Sequence, residues 1–265
     1  MKVFFTLLCL FSFSVHAQDP KAYIAAFDSK LYSLKSKGVK DFVVDVESSK
    51  LTKQMNDQMI FGKVKSLVFR IFWTSSPERL AVDVIGLPEG FREIKEELKL
   101  NIVSGLDNLL PMGIQEKFQG YKMMKGPSPK EFIAQDQSGV APIPAYILKF
   151  DAKDTLAEVI GKKPVGTFRV TTKYDKQGFS EGKWVLTEQV TSSSENGLSI
   201  VSTKDIEYDE VNGIGVVEQV KIIIDQNSEN SDSKPIKVEE TLQFKNYKLN
   251  TGEGIKYFLG DTLKK

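Results

Sequence analysis

Residues able to make or break covalent bonds are scarce in this chain. It has one cysteine, Cys9, and one histidine, His16. Both fall in a stretch that reads as a removable leader. Met1-Lys2 gives a basic start, Val3 to Val15 is an apolar run too short to span a bilayer, and Ala17 ends it with a small residue. Cleavage near Ala17 leaves a mature chain, 18–265, that can build no disulfide, thiolate nucleophile or Ser-His-Asp triad, and no usual zinc or haem site. Cys9 sits inside the apolar run, behind Leu7 and Leu8, which does not suit a lipid-attachment cysteine.

Carboxylates are left for acid–base work. Glu96-Glu97 and Glu239-Glu240 are adjacent in sequence, so each pair divides between two faces of its element. Nothing around them suggests the burial that tunes a catalytic acid. Asp205, Glu207, Asp209 and Glu210 lack a calcium-loop arrangement and read as a solvated strand edge. Ser192 to Ser194 flank a turn. Gly213-x-Gly215 and Gly252-x-Gly254 lack the strand–turn–helix setting of a dinucleotide site, and no P-loop occurs. The expectation is a protein with no catalytic residue, no metal and no cofactor. Thirty-six basic residues face 35 acidic ones. Loss of Lys2 with the leader equalises them, and the signs are interspersed, so nucleic acid is not an expected partner. No Asn-x-Ser/Thr sequon occurs, which fits a bacterial periplasm or cell exterior.

What remains is apolar surface and the elements that display it. Ser66 to Phe91 reads as a hairpin turning at Ser76-Pro77. This register sets Trp73 opposite Leu80, Ile71 opposite Val82 and Phe69 opposite Val84 on one face. The other face pairs Phe72 with Ala81, Arg70 with Asp83 and Val68 with Ile85. A slip of one residue would carry Trp73 away from its apolar partners. Before the hairpin, Asp19-Pro20 opens a helix predicted to run to Lys37 and stop at Gly38, followed by a strand over Lys40 to Ser48 and a thin apolar strip around Met59 to Lys65. After it, Phe91, Ile94, Leu98, Ile102, Leu106 and Leu109 recur three or four apart, which predicts an amphipathic helix ending before Pro111.

Lys117 to Lys125 and Ala145 to Asp151 read as strands, Ala141 to Pro144 as loop, and Thr155 to Ile160 as one helical turn closed by Gly161. From Gly166 the pattern is a meander of long strands whose even-numbered residues, from Phe168 to Phe244, supply one apolar face. Glu195-Asn196-Gly197 is expected to be a three-residue loop. That loop sets Glu188 opposite Lys204 and Trp184 opposite Tyr208, whereas a two-residue loop would place Glu188 against Asp205. Gln226 to Lys234 is a polar loop.

Two passages carry a resemblance. Phe72-Trp73-Thr74-Ser75-Ser76-Pro77-Glu78-Arg79-Leu80 resembles the strand–Pro-x-Arg-Leu–strand passage of the bacterial lipoprotein-carrier (LolA/LolB-like) family. Leu242-Gln243-Phe244-Lys245-Asn246-Tyr247-Lys248-Leu249-Asn250, with Phe258 beyond it, is similar to that family's late strand. The resemblance spans roughly 20–110 and 168–259. It implies an α+β protein, a long curved antiparallel β-sheet (an incomplete barrel) wrapped around a few helices, with a cavity for acyl chains of lipids or lipoproteins. The domain would be single, 18–265, with an insertion near 113–164 that has no counterpart in the family. The implied partners are an inner-membrane transporter and an outer-membrane receptor, met by a monomeric periplasmic carrier. No arginine matches the one that carriers use to hold their lid, since Arg70 is paired with Asp83 in the expected register.

On this reading the cavity lining is Phe69, Ile71, Trp73, Leu80, Val82, Val84, Trp184 and Leu186, and the lid helix presents Phe91, Ile94, Leu98 and Ile102. The same pattern also suits an exported β-rich structural or protein-interaction module with a filled core.

Overall fold

The computed structural model describes residues 19–58, 64–106, 113–163, 166–195, 197–228 and 234–262. The leader, the start of the thin apolar strip, Leu109 and Pro111, where the central helix is predicted to end, Asn196, and the middle of the polar loop after Gln226 lie outside them.

Long alternating segments pair into a single antiparallel sheet. The first three strands are β1 (Asp41–Ser48), β2 (Val68–Ser75) and β3 (Glu78–Ile85). A second run comprises β4 (Tyr121–Lys125), β5 (Glu131–Asp136), β6 (Ala145–Phe150), β7 (Leu156–Lys162) and β8 (Thr167–Asp175). It continues through β9 (Val185–Glu195), β10 (Leu198–Val211), β11 (Ile214–Ser228) and β12 (Ile236–Leu249). The strand order is β3-β2-β1-β12-β11-β10-β9-β8-β7-β6-β5-β4, so the last strand returns to pair with the first. The sheet does not close; it terminates at β3 and β4. Residues 121–162 are four strands of this same sheet. Five α-helices accompany it among the described residues: α1 (Pro20–Lys30), α2 (Leu51–Gln58), α3 (Arg92–Leu106), α4 (Ile114–Lys117) and α5 (Glu253–Thr262). None is long and apolar enough to cross a membrane.

The β2–β3 register is the one read from the apolar pattern, with Trp73 opposite Leu80 and Phe69 opposite Val84. The charge pairing on its outer face is different. Arg70 stands opposite Asp83 as expected, but its hydrogen bonds go to Asp45 on β1 in a two-pronged contact at 2.7 and 3.0 Å. Asp83 is taken instead by Lys95 of α3, at 2.8 Å. The Arg70 guanidinium holds the Asp45 carboxyl below the ordinary carboxylate value of 3.8. A lowered folded pKa stabilises the fold above the unfolded value, and that contribution is lost as pH falls through the folded value. The pair is partly exposed, so its worth is ~1 kcal/mol at most. Arg70→Met is therefore expected to lower the urea midpoint near neutrality, and the difference from the parent should shrink and then vanish as pH falls below the ordinary carboxylate range. A difference constant across that range would exclude this pairing as its source.

Three local expectations are corrected. First, α1 starts as expected, with Asp19 accepting from the Lys21 N–H at 3.1 Å, but it stops at Lys30, not Lys37. Leu31 becomes extended and forms a bridge with Trp184: the Trp184 N–H donates to Lys30 O, and the Tyr32 N–H to Trp184 O, both at 2.8 Å. Second, residues 156–162 are strand β7, held between β6 and β8, and not a helical turn. Third, the β9–β10 turn is the two-residue one, with Leu198 opposite Glu195 and Asp205 opposite Glu188. The like charges are tolerated because Glu188 has its partner on the other side, Lys173 of β8, at 2.7 Å.

The central helix is α3, preceded by a short 3₁₀ turn over Glu89–Phe91. Helix α2 was not expected; the Ser48 hydroxyl receives its Leu51 N–H at 2.9 Å. The outer face of β1–β2 is covered by α5. Buried Asp41 holds its start by accepting from the Gly252 and Gly254 N–H groups at 3.2 and 3.0 Å, and Tyr257 stacks on Phe72 with ring centres 3.9 Å apart.

Candidate binding cavity

The apolar side chains gather into two clusters rather than one. The first joins β1–β3 with the facing parts of β10–β12 and is covered by Leu51 and Met55 of α2 and by Leu98 and Ile102 of α3. The second joins α1 and α4 with β5–β7 through Phe27, Phe118, Phe132, Leu148 and Phe150. Helix α4 is tied to α1 by Asp28, whose carboxylate accepts the Ile114 and Gln115 N–H groups at 2.8 and 2.9 Å.

Between the clusters lies a cavity of about 530 Å³, within the range of small-molecule sites. Phe42, Val44, Ile71 and Phe244 reach it from the first cluster, Phe27 and Leu156 from the second, and β8–β10 form the wall that spans them.

Two bulges decide which residues of the wall face inward. Tyr174 pairs with Leu186 but Lys173 with Glu188, so Thr187 is an extra residue in β9. Beyond it Gln189 and Thr191 face the cavity, and the even-numbered residues Glu188 and Val190 do not line it. This corrects the uniform even-numbered face. A second bulge, at Glu218, sets Val217 opposite Tyr208, and both Val216 and Val217 line the space.

Six tyrosines also line it: Tyr32, Tyr121, Tyr146, Tyr174, Tyr208 and Tyr247. Four of the hydroxyls donate to backbone carbonyls. Tyr32 donates to Gly215 O at 3.0 Å, Tyr121 to Ile143 O at 3.0 Å, Tyr208 to Leu186 O at 2.9 Å and Tyr247 to Val217 O at 2.8 Å. Burial pushes the Tyr32 and Tyr174 hydroxyls up to about 12, and raises those of Tyr208 and Tyr247 as well, so these groups stay protonated. The rings are anchored by their polar ends and present their apolar bodies.

Of the residues singled out from the sequence, Ile71, Leu80, Trp184 and Leu186 line the cavity. Phe69, Trp73, Val82 and Val84 lie instead within the closed first cluster, where Trp73 is 1% exposed and stacks on Phe42 at 5.2 Å. On the central helix, Leu98 and Ile102 pack against that cluster, Phe91 is half-buried and Ile94 is 37% exposed. From α3 the cavity receives Leu106.

The tyrosines, and the contributions of Phe27 on α1 and of Leu31 just beyond it, were missed. Tyr174 and Tyr208 could have been found, since both sit at inward positions of the meander; the hydroxyl bonds that hold them could not. Among the described lining residues there are two lysines, Lys117 and Lys204, and no carboxylate. No group of three His, Cys, Asp or Glu side chains that could hold a metal ion occurs among the described residues. Comparison with protein-family models, with curated proteins and with solved structures finds no match to this chain.

Proposed function

We propose that this protein is a carrier or binder of the acyl chains of lipids or lipoproteins, acting by reversible burial without covalent chemistry. The observation that supports it best is the cavity between the two clusters. Its wall is made of aliphatic side chains and of tyrosine rings whose hydroxyls are already bonded. Such a wall offers a ligand mainly apolar contact, and each methylene it takes from water contributes about 0.8 kcal/mol. Affinity then grows with chain length, and release needs only an alternative apolar site.

The resemblance of 72–80 and 242–250 to the lipoprotein-carrier family points the same way. On that reading the open sheet is the family's incomplete barrel and the leader directs the chain to the periplasm. The chain would receive its cargo at the inner membrane and surrender it to an outer-membrane receptor. Helix α3, laid along β3 and reaching the cavity through Leu106, is the element placed to act as a lid.

The test is native mass spectrometry of gently purified protein, with titration by a fluorescent fatty acid. Co-purified lipid mass and saturable binding are expected. A homogeneous, ligand-free protein that fails to bind the probe would sink the reading.

A further inference from the structure

The walls of the cavity differ in what holds them. Every strand between the two rims, β3 and β4, is hydrogen-bonded on both sides. Helices α2 and α3 sit on the first cluster, and Leu31, just past α1, is bridged to Trp184. Helix α4 is the exception. It is a single turn that stands between the cavity and solvent. Ile114 and Phe118 are buried on its inner side and line the space, whereas Gln115 and Glu116 are exposed on its outer side.

Its two ends are held differently. The C-terminal end runs directly into β4. There Phe118 rests on Tyr121 and Tyr146, with ring centres 5.7 and 4.9 Å apart, and the Tyr121 N–H donates to Phe118 O at 3.0 Å. The N-terminal end is held by another helix: Asp28 of α1 accepts the Ile114 and Gln115 N–H groups. Gly113 makes room for this contact. Its backbone, φ −58° and ψ 151°, suits any residue, but a Cβ there would stand 2.9 Å from Asp28 Oδ2. Besides Asp28, this end has Ile114 in the second cluster, a hydrogen bond from Gln115 Nε2 to Lys21 O at 3.3 Å, and an exposed ion pair of Glu116 with Lys35 at 3.9 Å. An ion pair of that kind contributes little.

We infer that α4 is the door of the cavity: ligand enters and leaves between α1 and α4, with Phe118 as the hinge and Asp28 as the latch. The inference rests on the acyl-binding reading and adds a route to it. A segment secured at one end chiefly by two side-chain hydrogen bonds opens far more often than a strand paired on both sides. Each hydrogen bond to a charged carboxylate shifts such an equilibrium by roughly ten-fold or more, so loss of Asp28 should multiply the open fraction accordingly. Asp28 is not among the residues that line the cavity, so its effect falls on the rate of exchange and not on contact with the ligand.

The same contact supplies the test. A Cβ on Gly113 would stand 3.6 Å from Asp28 Cβ, inside the disulfide range of about 3.5–4.5 Å, and the mature chain 18–265 has no cysteine of its own. In the double variant Asp28→Cys, Gly113→Cys, mild oxidation should therefore join α1 to α4. The protein is loaded with a fluorescent long-chain fatty acid before oxidation, and release of the probe into excess phosphatidylcholine vesicles is followed. The oxidised form is expected to release it about ten-fold or more slowly than the same protein after dithiothreitol, and the reduced form faster than the parent. Asp28→Ala should take up and release the probe about ten-fold faster than the parent, with little change in Kd. Equal release by the oxidised and reduced forms overturns the inference and leaves acyl binding standing. So does a pair that will not oxidise, which denies the contact, or an Asp28→Ala protein whose Kd changes while its rates do not. If the parent does not bind the probe, the acyl-binding reading falls and this inference with it. The two redox forms are one chain, so a folding defect in Asp28→Ala would not rescue the idea.

Discussion

Trp73→Ala is expected to lower the free energy of unfolding by about 3–5 kcal/mol. The indole is 1% exposed, stacks on Phe42, and donates from Nε1 to Glu78 Oε1 at 3.2 Å. The surroundings cannot collapse into the space it would leave. β1 and β3 are hydrogen-bonded to β2 on either side, and α5 backs the strand so closely that a Cβ on Gly254 would stand 2.7 Å from Trp73 O. A void held open by rigid walls gives the upper part of the cavity penalty. Urea unfolding followed by circular dichroism should show a lower midpoint with an unchanged slope. Trp73→Phe, which keeps most of the stack, should fall between the two. A loss under about 1 kcal/mol would mean that the hairpin's apolar face is not a structural core.

The second large effect concerns binding rather than stability. Val170 on β8 lies between Val159 and Thr191 and points into the cavity. In Val170→Trp the added ring would occupy space that an acyl chain needs, and affinity for the fluorescent fatty acid is expected to fall more than ten-fold, as for loss of several methylene contacts. Because the new atoms enter an existing void and not a packed core, stability should change by no more than about 1 kcal/mol. Thr171→Trp, on the exposed face of the same strand, is the control and should bind as the parent does. Undiminished binding by Val170→Trp would place the ligand elsewhere.

The hairpin at Ser66 to Phe91 was legible because its constraints are local. Six apolar residues on one face leave one workable register, and the turn joins the strands that pair. The β9–β10 register was not legible for the opposite reason. Glu188 looked misplaced against Asp205 only while two strands were considered; its charge is satisfied by Lys173 on a third. The bulge at Thr187 follows from pairing with β8, a contact that no pattern within β9 encodes. The end of α1 is another long-range decision, since Leu31 leaves the helix for Trp184, the residue just before β9. The candidate site suffered in the same way. Half of the expected lining was right in type but wrong in place: Phe69, Trp73, Val82 and Val84 are inward-facing, yet α2, α3 and Phe42 seal their part of the sheet. The open space lies where two clusters fail to meet, and that depends on residues of 113–163, the stretch whose sequence carried no family pattern.

The unclosed sheet carries a hazard of its own. Its two rims, β3 and β4, bear rows of backbone groups that could template another copy of the chain. The first rim is shielded by α3, which packs along β3 and clasps Asp83 through Lys95. The second is short, five residues, and sets the exposed ammonium groups of Lys122 and Lys125 along it. Copies approaching strand to strand at that rim would bring like charges together. A protein built around an apolar hollow thus limits its own polymerisation with one helix and two lysines.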